Sequence, residues 1–409
     1  MERHVIWFDD LARGDVPLVG GKNSSLGEMV QQLGQKGIRV PPGFATSADA
    51  FRAFITANGL DSVIAETTQD LAQGKITLHA AGQHIRAAIK GGDWPEDIRA
   101  AIEAAYDGLS ERAGQENVSV AVRSSATAED LPDASFAGQQ ETYLNIRGKA
   151  QLLEACRDCY ASLFTDRAIS YRTVKGFDHT QVALSVGVQQ MVRSDIGGSG
   201  VMFSIDTETG FDKVVLINAA WGLGENVVQG AVTPDEYRVF KPFLDRPGLT
   251  PIVERSLGAK EIKMIYATTG PEPTRNVPTS RAERGQFVLS EPEILELARA
   301  AKTIEEHYGL PMDMEWARDG VTNELFIVQA RPETVQSRAE AGAMKTYEVK
   351  SPGKALVTGL SVGSAAAKGR VCLIEHASDI DRFVDGAILV TSTTDPDWVP
   401  IMKRAAAIV

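Results

Sequence analysis

One change of pattern along the chain constrains its fold more than any other feature. From Lys22 to about Gln115 the apolar residues recur with mainly helical spacing, whereas from Val118 onward segments begin to alternate like strands. Further helices are predicted at 148–163, 165–176 and 291–308, and further strands at 182–192, 200–205, 213–219, 236–240, 312–317 and 325–330. This arrangement predicts a fold of the α+β class.

The size and charge of the chain exclude several classes of protein. It has 409 residues, enough for two to three domains, and 42 Lys and Arg against 54 Asp and Glu give a net charge of −12. Such a field repels a phosphate polymer, so we expect no nucleic-acid partner, although a small anion can bind where a few cations converge. Neither a signal peptide nor an apolar run of membrane-spanning length is recognisable. We therefore expect a cytoplasmic protein without a membrane partner.

The cysteines do not indicate a disulfide framework, because there are only three of them. Cys156 and Cys159 form a CxxC pair inside a segment whose apolar spacing indicates an amphipathic helix. No second CxxC supplies further ligands, so two buried thiols are expected rather than a redox or zinc site.

Three segments contain residue types that suit phosphate binding, and the first of them surrounds Lys22. The run from Gly20 to Lys22 opens a predicted helix, which offers free backbone N–H groups beside a lysine. The spacing is not that of a P-loop, so an ordinary turn before a helix is the alternative.

The second segment begins at Arg123, which ends a predicted strand and precedes a long stretch of small and polar residues. Long ordered loops are usually functional. Gly138 lets backbone N–H groups approach phosphate oxygens, while the Arg123 guanidinium supplies fork-like donors. The carboxylates of Glu129, Asp130 and Asp133 leave an ordinary ion pair as the alternative for this arginine.

The third segment is a pair of predicted strands on either side of the turn-like run Arg318–Asn323. Alternation places Asp313 and Glu315 on one face of the first strand, and Gln329 and Arg331 on one face of the second. If the two strands form a hairpin, these groups meet over one sheet. Glu and Gln oxygens suit Mg²⁺ and the arginine can neutralise a terminal phosphate, whereas a plain cross-strand ion pair is the alternative.

Together these segments make the chain similar to the phosphoenolpyruvate synthase (pyruvate, water dikinase) family of PEP-utilizing enzymes. The resembling stretches follow one another in order along nearly the whole chain: Val19–Met29, Ala121–Thr142, Gly200–Asp206, Trp221–Glu225, Asp313–Trp316 and Phe326–Thr334. The resemblance implies an ATP-grasp-type nucleotide-binding domain at 1–340, with lobes at about 1–200 and 200–340. It further implies a linker at 341–352 and the start of a β-rich swivelling phosphohistidine domain at 353–409.

The resemblance also implies roles for eight residues. Those expected at ATP and its Mg²⁺ are Lys22, Arg123, Gly138, Thr142, Gln189, Glu315, Gln329 and Arg331. Glu315 and Gln329 are the expected ligands of Mg²⁺. Lys22, Arg123 and Arg331 are expected to stabilise the charge of the phosphates, and Gln189 is expected beside the adenine.

The reaction implied by the resemblance converts ATP, pyruvate and water into AMP, phosphoenolpyruvate and phosphate through a phosphohistidine. Family members carry that histidine shortly after the segment corresponding to Asp395–Val409, so we expect a fragment that binds ATP without completing the reaction. A sister dikinase, such as a rifampin-type phosphotransferase or a pyruvate, phosphate dikinase, is the alternative. A nucleotide-sensing module without catalysis is a third interpretation, and a homodimer is considered for the full-length protein.

Overall fold

The structure, a computed structural model, contains two compact units. It describes residues 3–127, 130–131, 134–135, 141–267, 269, 272–333, 353–354, 356–357, 366–375, 377–392, 394 and 398–409. The first unit comprises Met1–Thr207 and Phe211–Ser337, and the second comprises Glu208–Gly210 and Arg338–Val409. Helices and sheets are both abundant, which confirms the prediction that the chain combines the two.

The helices of the first unit are mostly amphipathic and cover its two larger sheets. They are α1 (Val16–Glu28), α2 (Ala48–Ala57), α3 (Leu60–Ala72), α4 (Leu78–Lys90), α5 (Glu96–Ala113), α6 (Lys149–Ser162), α7 (Asp166–Lys175), α8 (Glu225–Val228), α9 (Arg281–Arg284) and α10 (Glu291–Tyr308). The α10 bounds are those predicted. The N–H of Ser290 donates to Oε2 of Glu293 at 2.7 Å, and Gly309 ends the helix with φ 73°. Both thiols of α6 are buried and free, as expected, and burial raises the pKa of Cys156 to about 12.

The strands of the first unit form two antiparallel sheets and two small ribbons. They are β1 (Val5–Trp7), β2 (Gly43–Thr46), β3 (Val120–Ala126), β4 (Asp130–Leu131), β5 (Ala134–Ser135), β6 (Thr142–Ile146), β7 (Leu184–Gln190), β8 (Gly198–Phe203), β9 (Val214–Trp221), β10 (Asp235–Phe240), β11 (Ile252–Ser256), β12 (Ile262–Tyr266), β13 (Thr274–Pro278), β14 (Met312–Arg318) and β15 (Leu325–Pro332). The larger sheets have the orders β1-β2-β7-β3-β6 and β11-β10-β9-β8-β14-β15.

In the five-stranded sheet, the two faces have different roles. Val120 and Val122 of β3 are fully buried in a core formed with α2 to α6. Because side chains alternate along a strand, Ala121 and Arg123 lie on the opposite face. Two consecutive prolines and a glycine predict a loop at 40–44 from the sequence, but this is wrong at its end, because Gly43–Thr46 is a strand in which Phe44 pairs with Val188 of β7.

In the six-stranded sheet, the predicted hairpin is confirmed: β14 and β15 pair antiparallel across the turn. The three glycines at 197–200 predict a turn from the sequence, but this is wrong, because β8 starts at Gly198 and pairs with β9 and β14. The polar stretch near 268–288 has no clear periodicity in the sequence, yet it contains β13 and α9. β13 pairs only with β12 among the described residues and is largely exposed, so it needs no apolar alternation.

A buried ion pair lies at the start of β10 in the six-stranded sheet. The ammonium group of Lys260 contacts the carboxylate of Asp235, and both side chains are 0% exposed. Asp235 also accepts hydrogen bonds of 2.8 Å from the N–H groups of Gly258 and Val288. One carboxylate therefore joins β10 to the chain that leads into β12 and to the chain before α10.

The second unit contains a small parallel sheet of β16 (Val371–Leu373), β17 (Ile388–Val390) and β18 (Ala407–Ile408), with the short helix α11 (Val399–Met402). The apolar runs at 371–374, 387–390 and 407–409 favour strands in all three places. The predicted linker at 341–352 lies outside the described residues. Throughout the part of the chain that is described, no helix combines the length and apolar character needed to cross a membrane.

Candidate functional site

Lys22 lies on a helix that contacts both large sheets. Gly20 interrupts α1 with φ 74° and ψ 166°, so the helical turns restart after it and Lys22 lies in the first of them, as predicted. A Cβ atom on Gly20 would be 2.2 Å from the hydroxyl oxygen of Ser125, so α1 approaches β3 closely here. The Ser25 hydroxyl donates to the carbonyl of Ala330 in β15 at 2.8 Å. The helix thereby connects the strand of Arg123 to that of Gln329 and Arg331.

We expect Gly20→Ala to destabilise the protein by about 1–3 kcal/mol, because alanine disfavours a positive φ and its methyl group would collide with Ser125. Gly14→Ala is the matched control, because a Cβ there would meet nothing within 4 Å. Urea unfolding of both variants measures the effect. Equal midpoints for the two variants would contradict a tight contact between α1 and β3.

Arg123 is the central cation of the candidate site. Its guanidinium lies 3.4 Å from the carbonyl of Val328, from Oε1 of Gln329 and from Oε2 of Glu315. These contacts are longer than the 2.7–2.9 Å typical of charge-assisted hydrogen bonds. Among the described residues, the buried Nε of Arg123 has no hydrogen-bond partner. Since an unsatisfied buried donor costs about 1–3 kcal/mol, the guanidinium retains capacity for a strong acceptor such as a phosphate oxygen.

A β-bulge shapes the surface that Arg123 contacts. Glu315 pairs with Gln329 across the hairpin, whereas Trp316 pairs with Ile327, so Val328 is an extra residue on β15. The bulge keeps Glu315 and Gln329 side by side on one face while Trp316 and Ile327 stay in the core. It also leaves the Val328 carbonyl next to Arg123.

Arg331 forms the cross-strand ion pair that was the alternative for this hairpin. Its Nε and Nη2 lie 2.8 and 2.7 Å from Oδ2 of Asp313, the residue opposite it in the register. Burial raises the pKa of Asp313, Arg331 opposes that rise, and the carboxylates of Glu315 and Glu333 add to it. The Arg331 side chain is 44% exposed, so it is accessible to a ligand.

Two further predicted residues lie on strands beside β3. Thr142 of β6 is the cross-strand partner of Arg123, and Gln189 of β7 is the partner of Ala121. Cross-strand partners share a face of the sheet, so both lie on the face of Arg123. Gln189 is 3% exposed and donates to the carbonyl of Pro41 at 3.4 Å. The roles of both residues stay predictions.

Some predicted features lie outside the described residues. Gly138 is one of them, and the side chains of Glu129, Asp130 and Asp133 are not described either. The described acidic partner of Arg123 is instead Glu315, which is 192 positions away in the sequence.

The sequence interpretation assigned no role to the segment that follows β9. Leu223 is buried in a small apolar cluster with Ala121 and Leu144, and Met191, Met264 and Tyr266 pack against it. Two residues further on, Glu225 interacts electrostatically with Arg123 and Glu141. The Gly-Leu-Gly-Glu run was visible in the sequence, but nothing local indicates that it faces β3.

The arrangement of Arg123, Glu315 and Gln329 is chemically suited to an anion together with a hard metal ion. Mg²⁺ is commonly held by one or two carboxylate or amide oxygens plus phosphate oxygens and waters, which fits the adjacent Glu315 and Gln329. No group of three or more His, Cys, Asp or Glu side chains suited to a metal occurs among the described residues. A metal here would therefore depend on ligand oxygens as well as on the protein.

Known proteins match this chain over most of its length. The profile of the family described as "Pyruvate phosphate dikinase, AMP/ATP-binding domain" matches residues 16–351. The phosphoenolpyruvate synthase of Synechocystis sp. is 55% identical over 99% of this chain and 51% of the relative. Those of Neisseria meningitidis and Escherichia coli are each 52% identical, over 100% and 99% of this chain and 52% and 51% of the relatives. The chain thus spans about half the length of these relatives.

Proposed function

Because the chain belongs to the pyruvate phosphate dikinase AMP/ATP-binding domain family, we propose that it binds Mg·ATP around Arg123 and supplies a phosphoryl group. The observation that carries this proposal is the position of the Arg123 guanidinium, which lies 3.4 Å from Oε2 of Glu315 and 3.4 Å from Oε1 of Gln329 although these residues are 192 and 206 positions away in the sequence. A cation beside two hard oxygen ligands is the arrangement that a metal-bound polyphosphate requires.

Each predicted residue has a distinct part in this proposal. Glu315 and Gln329 would hold Mg²⁺, which supplies positive charge to the phosphates. Arg123 binds phosphate through guanidinium N–H groups that, among the described residues, make only long hydrogen bonds or none. Arg331 gives up its bond to Asp313 and binds a phosphate oxygen instead. Lys22 adds a third cation from the start of the restarted helix.

The base and ribose have a proposed place as well. Gln189 and Thr142 share the face of β3 that carries Arg123, and the apolar cluster of Ala121, Leu144 and Leu223 lies on the same side. Adenine needs apolar surface with a few polar groups at its edge. We place the base against this cluster near Gln189, with Gly138 reaching the phosphates.

In the whole protein, we propose the reaction of phosphoenolpyruvate synthase: ATP, pyruvate and water yield AMP, phosphoenolpyruvate and phosphate through a phosphohistidine. The names of the relatives support this reaction over those of the sister dikinases. The ATP-grasp lobes at 1–200 and 200–340, the linker at 341–352, the swivelling domain from 353, a cytoplasmic location and a homodimer are parts of the same proposal.

Binding of Mg·ATP to the isolated chain tests the first part. A ligand that binds only the folded state at 100 times its dissociation constant stabilises a protein by about 2.7 kcal/mol. We expect Mg·ATP to raise the melting temperature, and ATP with EDTA to raise it much less. The absence of any shift, together with no heat of binding by calorimetry, would remove the proposal.

The reaction itself is tested on a full-length protein that carries this chain. Incubation with ATP, Mg²⁺ and pyruvate should release AMP and phosphate in step with phosphoenolpyruvate. Formation of ADP instead of AMP, or turnover that does not depend on pyruvate, would exclude phosphoenolpyruvate synthase.

A further inference from the structure

Arg172 of α7 is a buried cation that has no acidic partner among the described residues. The residue is 0% exposed, and neither Nη1 nor Nη2 of its guanidinium has a hydrogen-bond partner within that part of the chain. The ring centroid of Phe164 lies 5.3 Å from its Cζ, and an aromatic face attracts a cation without carrying a charge that neutralises it. Buried charges in proteins are normally paired, so this guanidinium calls for a counter-charge.

The side-chain hydrogen bond that Arg172 makes goes to a neutral group. Its Nε donates to Nδ1 of His179 at 3.0 Å, which requires Nδ1 to be unprotonated. The hydroxyl of Thr173 donates to the carbonyl of Ile169 at 2.9 Å and lies 3.3 Å from Nε2 of His179, so Nε2 carries the proton of the imidazole. Burial and the charge of Arg172 lower the pKa of His179 to about 4, although Asp178 opposes them. The imidazole is therefore neutral at pH 7 and supplies no negative charge.

The two acidic residues that lie closest to this network in the sequence have other partners. Asp166, at the start of α7, accepts a hydrogen bond of 3.0 Å from Nη1 of Arg86 and lies 2.8 Å from Nδ1 of His79. Asp178 accepts the N–H and the hydroxyl of Thr180 at 2.8 and 2.7 Å. Both carboxylates are thus engaged elsewhere, and neither forms an ion pair with the buried guanidinium.

The charge of Arg172 persists at neutral pH. Burial lowers the pKa of its guanidinium only to about 10, and no described carboxylate takes part in that shift. The two Nη groups therefore form a positive fork that suits one negative acceptor. We propose that Arg172 binds a small monovalent anion, of the size of chloride or formate, in a structural site between α7 and the segment of His179.

Charge and size both narrow the choice of anion. A monovalent anion balances one guanidinium, whereas a dianion such as sulfate would leave its second charge uncompensated in the interior. Phe164 and Ile169 are 1% and 0% exposed, so a bulky anion would have to displace core side chains. Thr173 is exposed and His179 is partly exposed, so a small anion needs only a local opening to enter.

The anion stabilises the connection between α7 and β7. The N–H of Phe177 donates to the carbonyl of Arg172 at 2.9 Å, where the chain turns after α7. The same connection ends at Ala183, whose carbonyl accepts the N–H and the hydroxyl of Thr127, just after β3, at 3.3 and 3.2 Å. Since β3 and β7 are neighbours, the anion acts as a structural ion of the five-stranded sheet. This inference does not depend on the proposed function.

Thermal melting at constant ionic strength tests the proposal. Wild type and Arg172→Met are refolded from urea in chloride, bromide or formate, each of which replaces a bulky organic sulfonate in steps. A ligand that binds only the folded state at 100 times its dissociation constant should raise the melting temperature of a chain of this size by about 3 °C. We expect this shift in the wild type and its loss in Arg172→Met. Sulfate should give no difference between the two proteins.

A matched variant and a direct observation make the test specific. Arg52 is 55% exposed and pairs with Asp49, so Arg52→Met removes an arginine that needs no further anion and should keep the wild-type shift. Crystals of the wild type grown in bromide should show an anomalous scattering peak beside Nη1 and Nη2 of Arg172. This observation decides the question even if Arg172→Met does not fold.

The results that would overturn the proposal are equally definite. Equal anion dependence in wild type and Arg172→Met would mean that the anions act on the protein in general. Bromide absent from the guanidinium would mean that water or the chain itself satisfies Arg172. A shift produced by sulfate in the wild type and lost in Arg172→Met would contradict a monovalent site.

Discussion

Replacing Arg123 by alanine should abolish the stabilisation of the chain by Mg·ATP. The guanidinium is the cation that contacts both proposed metal ligands, and its Nε has no partner among the described residues. A hydrogen bond to a charged group contributes about 1.5–3 kcal/mol, and 1.4 kcal/mol corresponds to tenfold in affinity. The loss of one or two such bonds should weaken binding by roughly 100-fold.

The expected size of the effect makes this test decisive. At a nucleotide concentration of 100 dissociation constants, the wild type gains about 2.7 kcal/mol, whereas a variant with 100-fold weaker binding gains only ~0.4 kcal/mol. Thermal melting with and without Mg·ATP measures both values. Arg123→Lys should give an intermediate shift, because it keeps the charge without the fork of donors.

A matched control separates the site from general effects of charge. Arg52 on α2 is 55% exposed and pairs with Asp49, so Arg52→Ala removes the same charge far from β14 and β15 in the sequence. It should leave the nucleotide-induced shift unchanged. If Arg123→Ala keeps the full wild-type shift, ATP does not bind around Arg123 and the assignment of the whole cluster is wrong.

The sequence predicted the parts of this site that depend on local pattern. Asp313, Glu315, Gln329 and Arg331 lie on a hairpin with a short turn, so alternation alone places their side chains on one face. Arg123 was recognisable as the end of a strand beside a long polar loop. Its meeting with Glu315 was not implied by either pattern, since the two residues are 192 positions apart.

The features that sequence reasoning missed depend on long-range packing. The Val328 bulge follows from keeping Trp316 and Ile327 in the core while Glu315 faces Gln329, which no periodicity reveals. The prolines make residues 40–44 read as a loop, but the last two of these residues pair with β7 and belong to β2. Glu225 likewise acquires its place only when Leu223 packs against β3.

The second large effect concerns the buried ion pair of Asp235 and Lys260. We expect Asp235→Asn to destabilise the protein by about 3–5 kcal/mol, because Lys260 would keep its charge in a place where both side chains are 0% exposed. The asparagine oxygen can still accept one of the two backbone N–H bonds, so the variant mainly reports the lost charge. Urea unfolding followed by circular dichroism measures the change.

Asp70→Asn is the matched control for this prediction. Asp70 pairs with Lys75 at 2.8 Å, but the side chains are 43% and 60% exposed. An exposed pair contributes about 0–1 kcal/mol, so the same chemical change should have little effect there. If Asp235→Asn and Asp70→Asn unfold at the same urea concentration, the charge of Lys260 is not confined to the interior.

Replacing both members of the buried pair by apolar residues should not restore stability. Asp235→Leu with Lys260→Met removes both charges, and such exchanges are often neutral when the charges serve only each other. Here the N–H groups of Gly258 and Val288 would lose their acceptor, at about 1–3 kcal/mol for each buried donor. The segment that contains Gly258 and Lys260 leads into β12, where the carbonyl of Met264 accepts a hydrogen bond from the N–H of Leu223. The double variant should therefore also bind Mg·ATP less tightly than its stability alone predicts. Full recovery of stability and binding would mean that the carboxylate acts only as the counter-ion of Lys260.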